Sequence, residues 1–187
     1  MNKSIVYLIC LMVLLFVGVT GCGPQDETRT LPYTRYVESY DGARVPVPDH
    51  PKRILALSSA SDTILLGLVE PDRLVGINTL STYEEYSLEA KRAKLVKPAM
   101  SSYPLEKIIA LEPDLVIAPD YTSADIIAGL RHMGIPTVVV PTGTTVESVI
   151  KNVTDIAHIV GEDEKGQFYE QKIRRELEQM KRLGTSI

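Results

Sequence analysis

The sequence has no tryptophan, and among its 187 residues there are only two cysteines, three histidines and two phenylalanines. Cys10 lies inside an apolar run, Ile5 to Val19, and Cys22 follows that run closely. Beyond Cys22 no thiol remains, which excludes a disulfide framework, a thiolate metal site and a cysteine nucleophile from the rest of the chain. His50, His132 and His158 are scattered, and none has a second ligand at metal spacing. His132, near a helix end, suits the dipole there, and His50 sits in a solvated loop before Pro51. There is no basic run, and the formal net charge is −4, which argues against a nucleic-acid partner. No glycine-rich phosphate loop follows any expected strand. Ser59 and Ser61 lack a His–Asp partner pattern, and no carboxylate pair has acid–base spacing, so the chain is not expected to be an enzyme and needs no intrinsic cofactor.

What is present begins with a leader. Lys3 gives a positive start, and the apolar run of about 15 residues is short for a spanning helix but suits a signal-peptide core. Val19-Thr20-Gly21-Cys22 resembles a bacterial lipobox. That resemblance implies cleavage of residues 1–21, a diacylglyceryl thioether on Cys22, and an extracytoplasmic, lipid-anchored protein at the bacterial cell membrane. An ordinary signal peptide or membrane anchor with an incidental cysteine is the alternative. Residues 22–33 are polar, with glycine and two prolines, and read as a flexible tether. Removing the +1 of Lys3 from the net −4 leaves a formal charge of about −5 on residues 22–187. That length suits one domain.

The stretch Pro104 to Pro119, PLEKIIALEPDLVIAP, organises the remainder. Leu105, Ile108, Ile109 and Leu111 recur at helical spacing, Pro104 suits a first helical turn, and Pro113 blocks continuation. Leu115 to Ala118 is an apolar run too short for a helix and fits a strand buried on both faces. Upstream, Arg35 to Tyr40 and Arg44 to Pro48 flank the turn signal Asp41-Gly42, which predicts a hairpin whose prolines confine it to an edge. Further strands are expected at Arg53 to Leu57, Leu74 to Ile77 and Pro136 to Val140. Helices are expected at Thr63 to Leu68, Ser123 to Met133, Val146 to Val160 and Glu162 to Leu183. The last carries one apolar stripe of Phe168, Ile173, Leu177 and Met180. Ser58 to Asp62 reads as a capping-rich loop, Asn78 to Tyr86 as a polar segment, and residues 87–103 as irregular. The alternation predicts an α/β fold: a single Rossmann-like lobe over 34–161 with a mostly parallel sheet, an N-terminal β-hairpin and a long C-terminal helix over 162–187.

Five pieces in order resemble the substrate-binding proteins of ABC importers for iron–siderophore complexes, haem and vitamin B12. They are Asp41 to Pro48 (DGARVPVP), Pro51 to Ser58 (PKRILALS), Asp72 to Ile77 (DRLVGI), Leu105 to Ala118 and Leu130 to Val140. The resemblance covers nearly all of the chain after Cys22. Such proteins have two α/β lobes joined by a long helix, with the ligand between them. The chain thus resembles an amino-terminal lobe plus its linking helix, with the second lobe absent, whether as a gene fragment or a one-lobed relative. The partners implied are an ABC permease and ATPase, and the transported ligand is a ferric siderophore, haem or cobalamin. A non-transporting module that docks or self-associates through the long helix is the other reading. The Ser-Pro-Ser frequent in the family after the first strand is here Ser58-Ser59-Ala60, which removes a fixed φ.

Ligands in open parallel sheets bind beyond the carboxyl ends of the strands. The loops there carry Ser59, Ser61, Asn78, Tyr83, Asp120 and Tyr121, and the resemblance adds Met100 and Tyr103 in the segment before the central helix. The tyrosines and Met100 offer large, partly apolar faces suited to a macrocycle, and equally to packing on the lobe's own rim. Glu106 is expected exposed on the first turn of the central helix, where a carboxylate favours the dipole. The resemblance implies a second role for Glu106, meeting arginines of the permease.

Overall fold

The computed structural model describes residues 35–184. The expected signal segment, the expected tether and the expected lipid attachment at Cys22 lie outside the described residues. Among those described, no helix is long and apolar enough to cross a membrane.

Strands β1 (Arg35–Glu38) and β2 (Arg44–Val47) form the expected antiparallel hairpin, with Val37 opposite Val45. Gly42 in its turn has φ +82°, which a side chain would resist. The turn is pinned by Arg131, whose guanidinium meets Asp41 at 2.6 Å and holds its carboxyl down at about 2.

The central layer is parallel. β3 (Ile54–Ala56) pairs with β6 (Leu115–Pro119), and β6 pairs with β7 (Thr137–Val140). On the other side of β3, Leu74 bridges Ile54 and the Val75 amide donates to the Ile54 carbonyl at 3.0 Å. That bridge leads into β4 (Ile77–Asn78), which pairs in parallel with β5 (Ala99–Met100). The order across the layer is β5-β4-β3-β6-β7. The hairpin closes the outer edge of β7, where the Tyr40 amide donates to Val139 O and the Val139 amide donates to Ser39 Oγ.

Alternation along β3 and β6 sends side chains to two covers. Ile54, Ala56, Leu115 and Ile117 join one cluster with α1 (Ser59–Leu68) and α5 (Val146–Val160). Leu55, Leu57, Val116 and Ala118 join another with α3 (Leu105–Ala110) and α4 (Ala124–His132). All five side chains of β6 are buried, as a central strand of a two-sided sheet requires. The remaining helices are the short α2 (Ala90–Ala93) and the long α6 (Asp163–Arg182).

Three local expectations are corrected. Helix α1 begins at Ser59, four residues before the expected Thr63. Ser58 has the extended backbone of an N-cap and its Oγ accepts the Ser61 amide at 3.2 Å, so the small-residue run is the helix's first turn. The second strand is displaced, with ladder only at Ile77–Asn78 and a bridge at Leu74. Residues 87–103 are not irregular throughout, for they hold α2 and β5. Thr145 caps α5, in a reciprocal box with Ser148.

Helix α6 lies close on α5: a Cβ at Gly166 would meet Ala157 Cβ at 2.5 Å. Its first turns are tied to α1 and the following turn by Lys165 Nζ to Leu68 O (2.7 Å), Tyr169 OH to Gly67 O (3.1 Å) and Glu162 to Arg73 (2.5 Å). Ile173 and Leu177 are half-buried, whereas Phe168 and Met180 of the expected stripe are exposed.

Candidate functional site

The chain runs from β3 outward through β4 and β5, then returns to place β6 on the opposite flank of β3. The winding direction reverses between β3 and β6, and a crevice opens beyond their carboxyl ends. Three segments crowd that edge: the start of α1, the residues after β6, and the residues between β7 and α5.

Together they enclose a cavity of about 380 Å³. Ser58, Ser59, Ser61 and Ile64 come from α1 and its cap, Pro119 and Tyr121 from the end of β6, and Thr142 and Gly143 from the loop after β7. Val149, Asn152 and Ile156 form its wall on α5. No charged side chain lines it. Ser58 Oγ donates to Ser61 Oγ at 3.0 Å, which fixes the first turn of α1. Ser59 is half-buried and its hydroxyl makes no hydrogen bond within the protein, while Tyr121 stands out at the rim.

Asp120 shapes the rim rather than the floor. Its Oδ1 accepts the Thr142 hydroxyl at 2.6 Å and its Oδ2 accepts the Thr142 amide at 3.1 Å. These bonds tie the loops after β6 and β7 together and hold the carboxyl below its ordinary range.

A second polar group lies behind the first turn of α1. Asp62 is 1% exposed. Its Oδ2 accepts the Asn78 amide at 2.7 Å and the Ser81 hydroxyl at 2.8 Å, while its Oδ1 has no partner. Burial pushes the Asp62 carboxyl up to about 7 against those two bonds, and no cation opposes the shift. Asn78 itself caps the 3-10 turn Thr79–Thr82 by accepting the Leu80 amide. The Tyr103 hydroxyl is buried without a partner, and burial, then the nearby Asp62 charge, raises its pKa.

The structure therefore gathers Ser59, Ser61 and Tyr121 around the cavity, Asp120 at its rim, and Asn78 with Tyr103 around Asp62. Tyr83 is exposed after the 3-10 turn. Met100 does not join them: it is buried, with its Sδ 3.5 Å from where a Gly76 Cβ would be. Glu106 is exposed on the first turn of α3, as its neighbour Ile108 packs inward. Asn152 and Asp62 were not singled out from sequence as site residues. The signal for Asn152 was a polar residue on the apolar face of α5, between Val149 and Ile156. For Asp62 it was a carboxylate in a run of capping residues.

A wider groove of about 600 Å³ runs between the hairpin, the end of β7 and α5, but it holds none of the expected site residues and lies off the crevice. Among the described residues, no group of three or more His, Cys, Asp or Glu is placed to hold a metal ion.

A family profile described as periplasmic binding protein matches residues 54–183. The chain is 27% identical to an uncharacterized ABC transporter substrate-binding lipoprotein, YvrC, of Bacillus subtilis (strain 168), over 94% of this chain and 58% of that protein. It is 31% identical to a vitamin B12-binding protein of Vibrio campbellii, over 70% of this chain and 46% of that one. Among solved structures it resembles the haem binding protein HmuT, with a TM-score of 0.59 and 27% identity over 73% of this chain and 43% of the other. The chain spans about half the length of the curated relatives it matches.

Proposed function

Because the chain belongs to the periplasmic binding protein family, we propose that it supplies the amino-terminal half of the solute site in an ABC importer for a metal chelate. The cargo class is a ferric siderophore, haem or cobalamin. The observation that carries this reading is the crevice at the β3/β6 reversal, walled by hydroxyls, Tyr121 and aliphatic side chains, with no charge on its lining. A large, partly apolar ligand fits such an edge, and uncharged hydroxyls orient it without a strong electrostatic demand.

In this reading Ser59, Ser61 and Tyr121 face the ligand, Tyr103 backs them beside Asp62, and Asp120 and Asn78 hold the loops that present them. Tyr83 extends the rim. Cys22 carries the lipid that keeps the protein at the outer face of the membrane. Glu106, projecting from the lobe on α3, meets the permease, and the ATPase drives transport from the other side. The named relatives are binding proteins, which supports a binding role over a catalytic one.

One lobe covers one face of a ligand, and affinity depends on buried, preorganised contacts. Binding by this chain alone should therefore be weaker than about 1 µM. Titration of the full chain with cyanocobalamin, haemin and ferrioxamine B, followed by tyrosine fluorescence and calorimetry, tests this. Saturable micromolar binding of one of them supports the reading. No binding of any of the three at millimolar concentration sinks it.

A second reading rests on α6, where Phe168 is 56% and Met180 36% exposed. Such a face can pair two copies of the chain. Sedimentation that stays strictly monomeric at high concentration removes it.

A further inference from the structure

The hairpin that closes the edge of β7 leaves part of its own edge open. Amides along an antiparallel strand alternate between its two sides. The Ser39 amide donates to the Ala43 carbonyl within the hairpin at 2.8 Å, and the next amide, Tyr40, donates away from it to the Val139 carbonyl at 3.0 Å. Tyr36 and Glu38 share the parity of Tyr40, so their N–H and C=O groups also point away from β2. Among the described residues none of these four groups has a partner. Two alternate residues with both groups free form the pattern that an added strand completes.

The opposite edge of the hairpin is guarded. Pro46, paired with Tyr36, turns outward on β2 and has no N–H to offer. β1 has neither a proline nor a bulge, the usual guards of an open edge.

The open edge borders the groove of about 600 Å³ between the hairpin, the end of β7 and α5. Val37, Val139, Val140 and Ile159 give it aliphatic walls, and Tyr36 and Tyr40 stand half-exposed or more beside it. Its charges are unbalanced by one carboxylate. Lys151 and Asp155 pair with each other at 2.5 Å, and His158 Nδ1 meets Asp163 at 2.8 Å. Glu38 has no ion pair among the described residues. Arg44, opposite it across the hairpin, lies over the Tyr36 ring instead, 4.7 Å from the centroid.

The pleat dictates what an added strand must carry. The residue opposite Glu38 shares its face, and a lysine or arginine there meets the lone carboxylate. The residue opposite Val37 turns to the buried face and favours an aliphatic side chain. Because α5 walls the far side of the groove, a single extended segment enters more readily than the edge of a folded second copy.

We propose that the free edge of β1 docks an extended peptide segment of a partner protein, added as a strand, with a basic residue beside Glu38 and an aliphatic residue beside Val37. The site lies off the crevice and stands independently of the solute reading.

Hydrogen exchange on the nitrogen-15-labelled chain of 187 residues tests it, with acetyl-Val-Lys-Val-Thr-Val-amide as the probe. In the free chain the Tyr36 and Glu38 amides are expected to exchange rapidly, while Val37, paired with Val45, is protected. Saturating peptide should slow both about tenfold or more. Replacing the peptide's lysine with glutamate should weaken binding roughly threefold, the worth of an exposed ion pair. In the Glu38→Lys chain the order of the two peptides should reverse. N-methylation of the peptide's lysine and threonine removes the strand's donors and should abolish protection. Slow exchange of Tyr36 and Glu38 in the dilute free chain, no protection by the peptide, or equal protection by its methylated form overturns the proposal. Protection that grows with the chain's own concentration makes a second copy the occupant and overturns it equally.

Discussion

Replacing Asp62 with asparagine isolates the most perturbed carboxyl of the described residues. The folded state moves this group from an ordinary 3.8 to about 7, because burial disfavours the charge. The folded protein thus holds a proton through a pH range where the unfolded chain has released it. Below about pH 4 both states are protonated and the group is neutral in effect. Between about 4 and 7 the folded state binds more protons, so stability falls as pH rises. Above about 7 both states are ionised and the full penalty persists. At 1.36 kcal/mol for each factor of ten, the difference amounts to about 4 kcal/mol of pH-dependent stability. The Asp62→Asn side chain has nearly the same shape, and its oxygen can still accept from Asn78 and Ser81. Its new N–H group can take the place of Oδ1, which had no partner. Urea denaturation followed by circular dichroism from pH 4.5 to 8 should show wild-type stability declining across the window and that of Asp62→Asn nearly flat. The variant should be the more stable at pH 8, by up to about 4 kcal/mol. Parallel slopes for the two proteins, or a variant less stable than wild type at pH 8, would refute the account of an unpaired buried carboxylate.

Asp41 should act in a separate and opposite window: its carboxyl is held at about 2 by Arg131, so its contribution is present above pH 4 and lost as pH falls toward 2, and Asp41→Asn should cost roughly 1 kcal/mol at pH 7. Gly161→Ala combines a φ of +76° with a Cβ placed 2.2 Å from the Asp49 carbonyl oxygen, and should lower stability by about 2 kcal/mol or more in the same denaturation assay. Glu106→Ala should leave the melting temperature unchanged within error while weakening association with the cognate permease in membranes; unaltered association and uptake would leave only the helix dipole as its role.

Elements made of a continuous apolar run are legible in the sequence alone. β6 is a run of consecutive apolar side chains and β7 a threonine followed by three valines, and they sit where two covered faces demand such runs. Helix α5 was bounded within a residue because its stop is a glycine that adopts φ +76°. The errors fall where the deciding contact is distant in sequence. β4 and β5 contribute two residues each, and nothing local in Ile77–Asn78 announces a partner at Ala99–Met100. The start of α1 was placed late because serine and alanine carry no periodicity. A cap is a statement about one hydroxyl and one amide, and Ser58, Ser59 and Ser61 were equal candidates for it until backbone angles separated them.

The candidate site divides along the same line. Residues at the carboxyl edge follow from strand order alone, so Ser59, Ser61, Asp120 and Tyr121 arrive at the crevice whatever their side chains then do. What each side chain does depends on whether its polar atoms are already occupied. Asp120 reads in sequence as an exposed loop carboxylate available to a ligand, yet both its oxygens are taken by Thr142. Asn152 reads as an interruption of an apolar face, yet one of its two polar atoms is free. Met100 reads as a soft surface for a macrocycle, but the absent side chain of Gly76 draws it into the core. In all three cases the outcome turns on a neighbour between 11 and 24 positions away in the chain, and strand order, though it delivers the residue to the edge, does not determine that neighbour. A functional group at such an edge is best recognised by the hydrogen bond it does not make while it can still be reached, and by that measure the half-buried Ser59 hydroxyl is the group this lobe leaves open, whereas the unpaired oxygens of Asn152 and Asp62 are shut in.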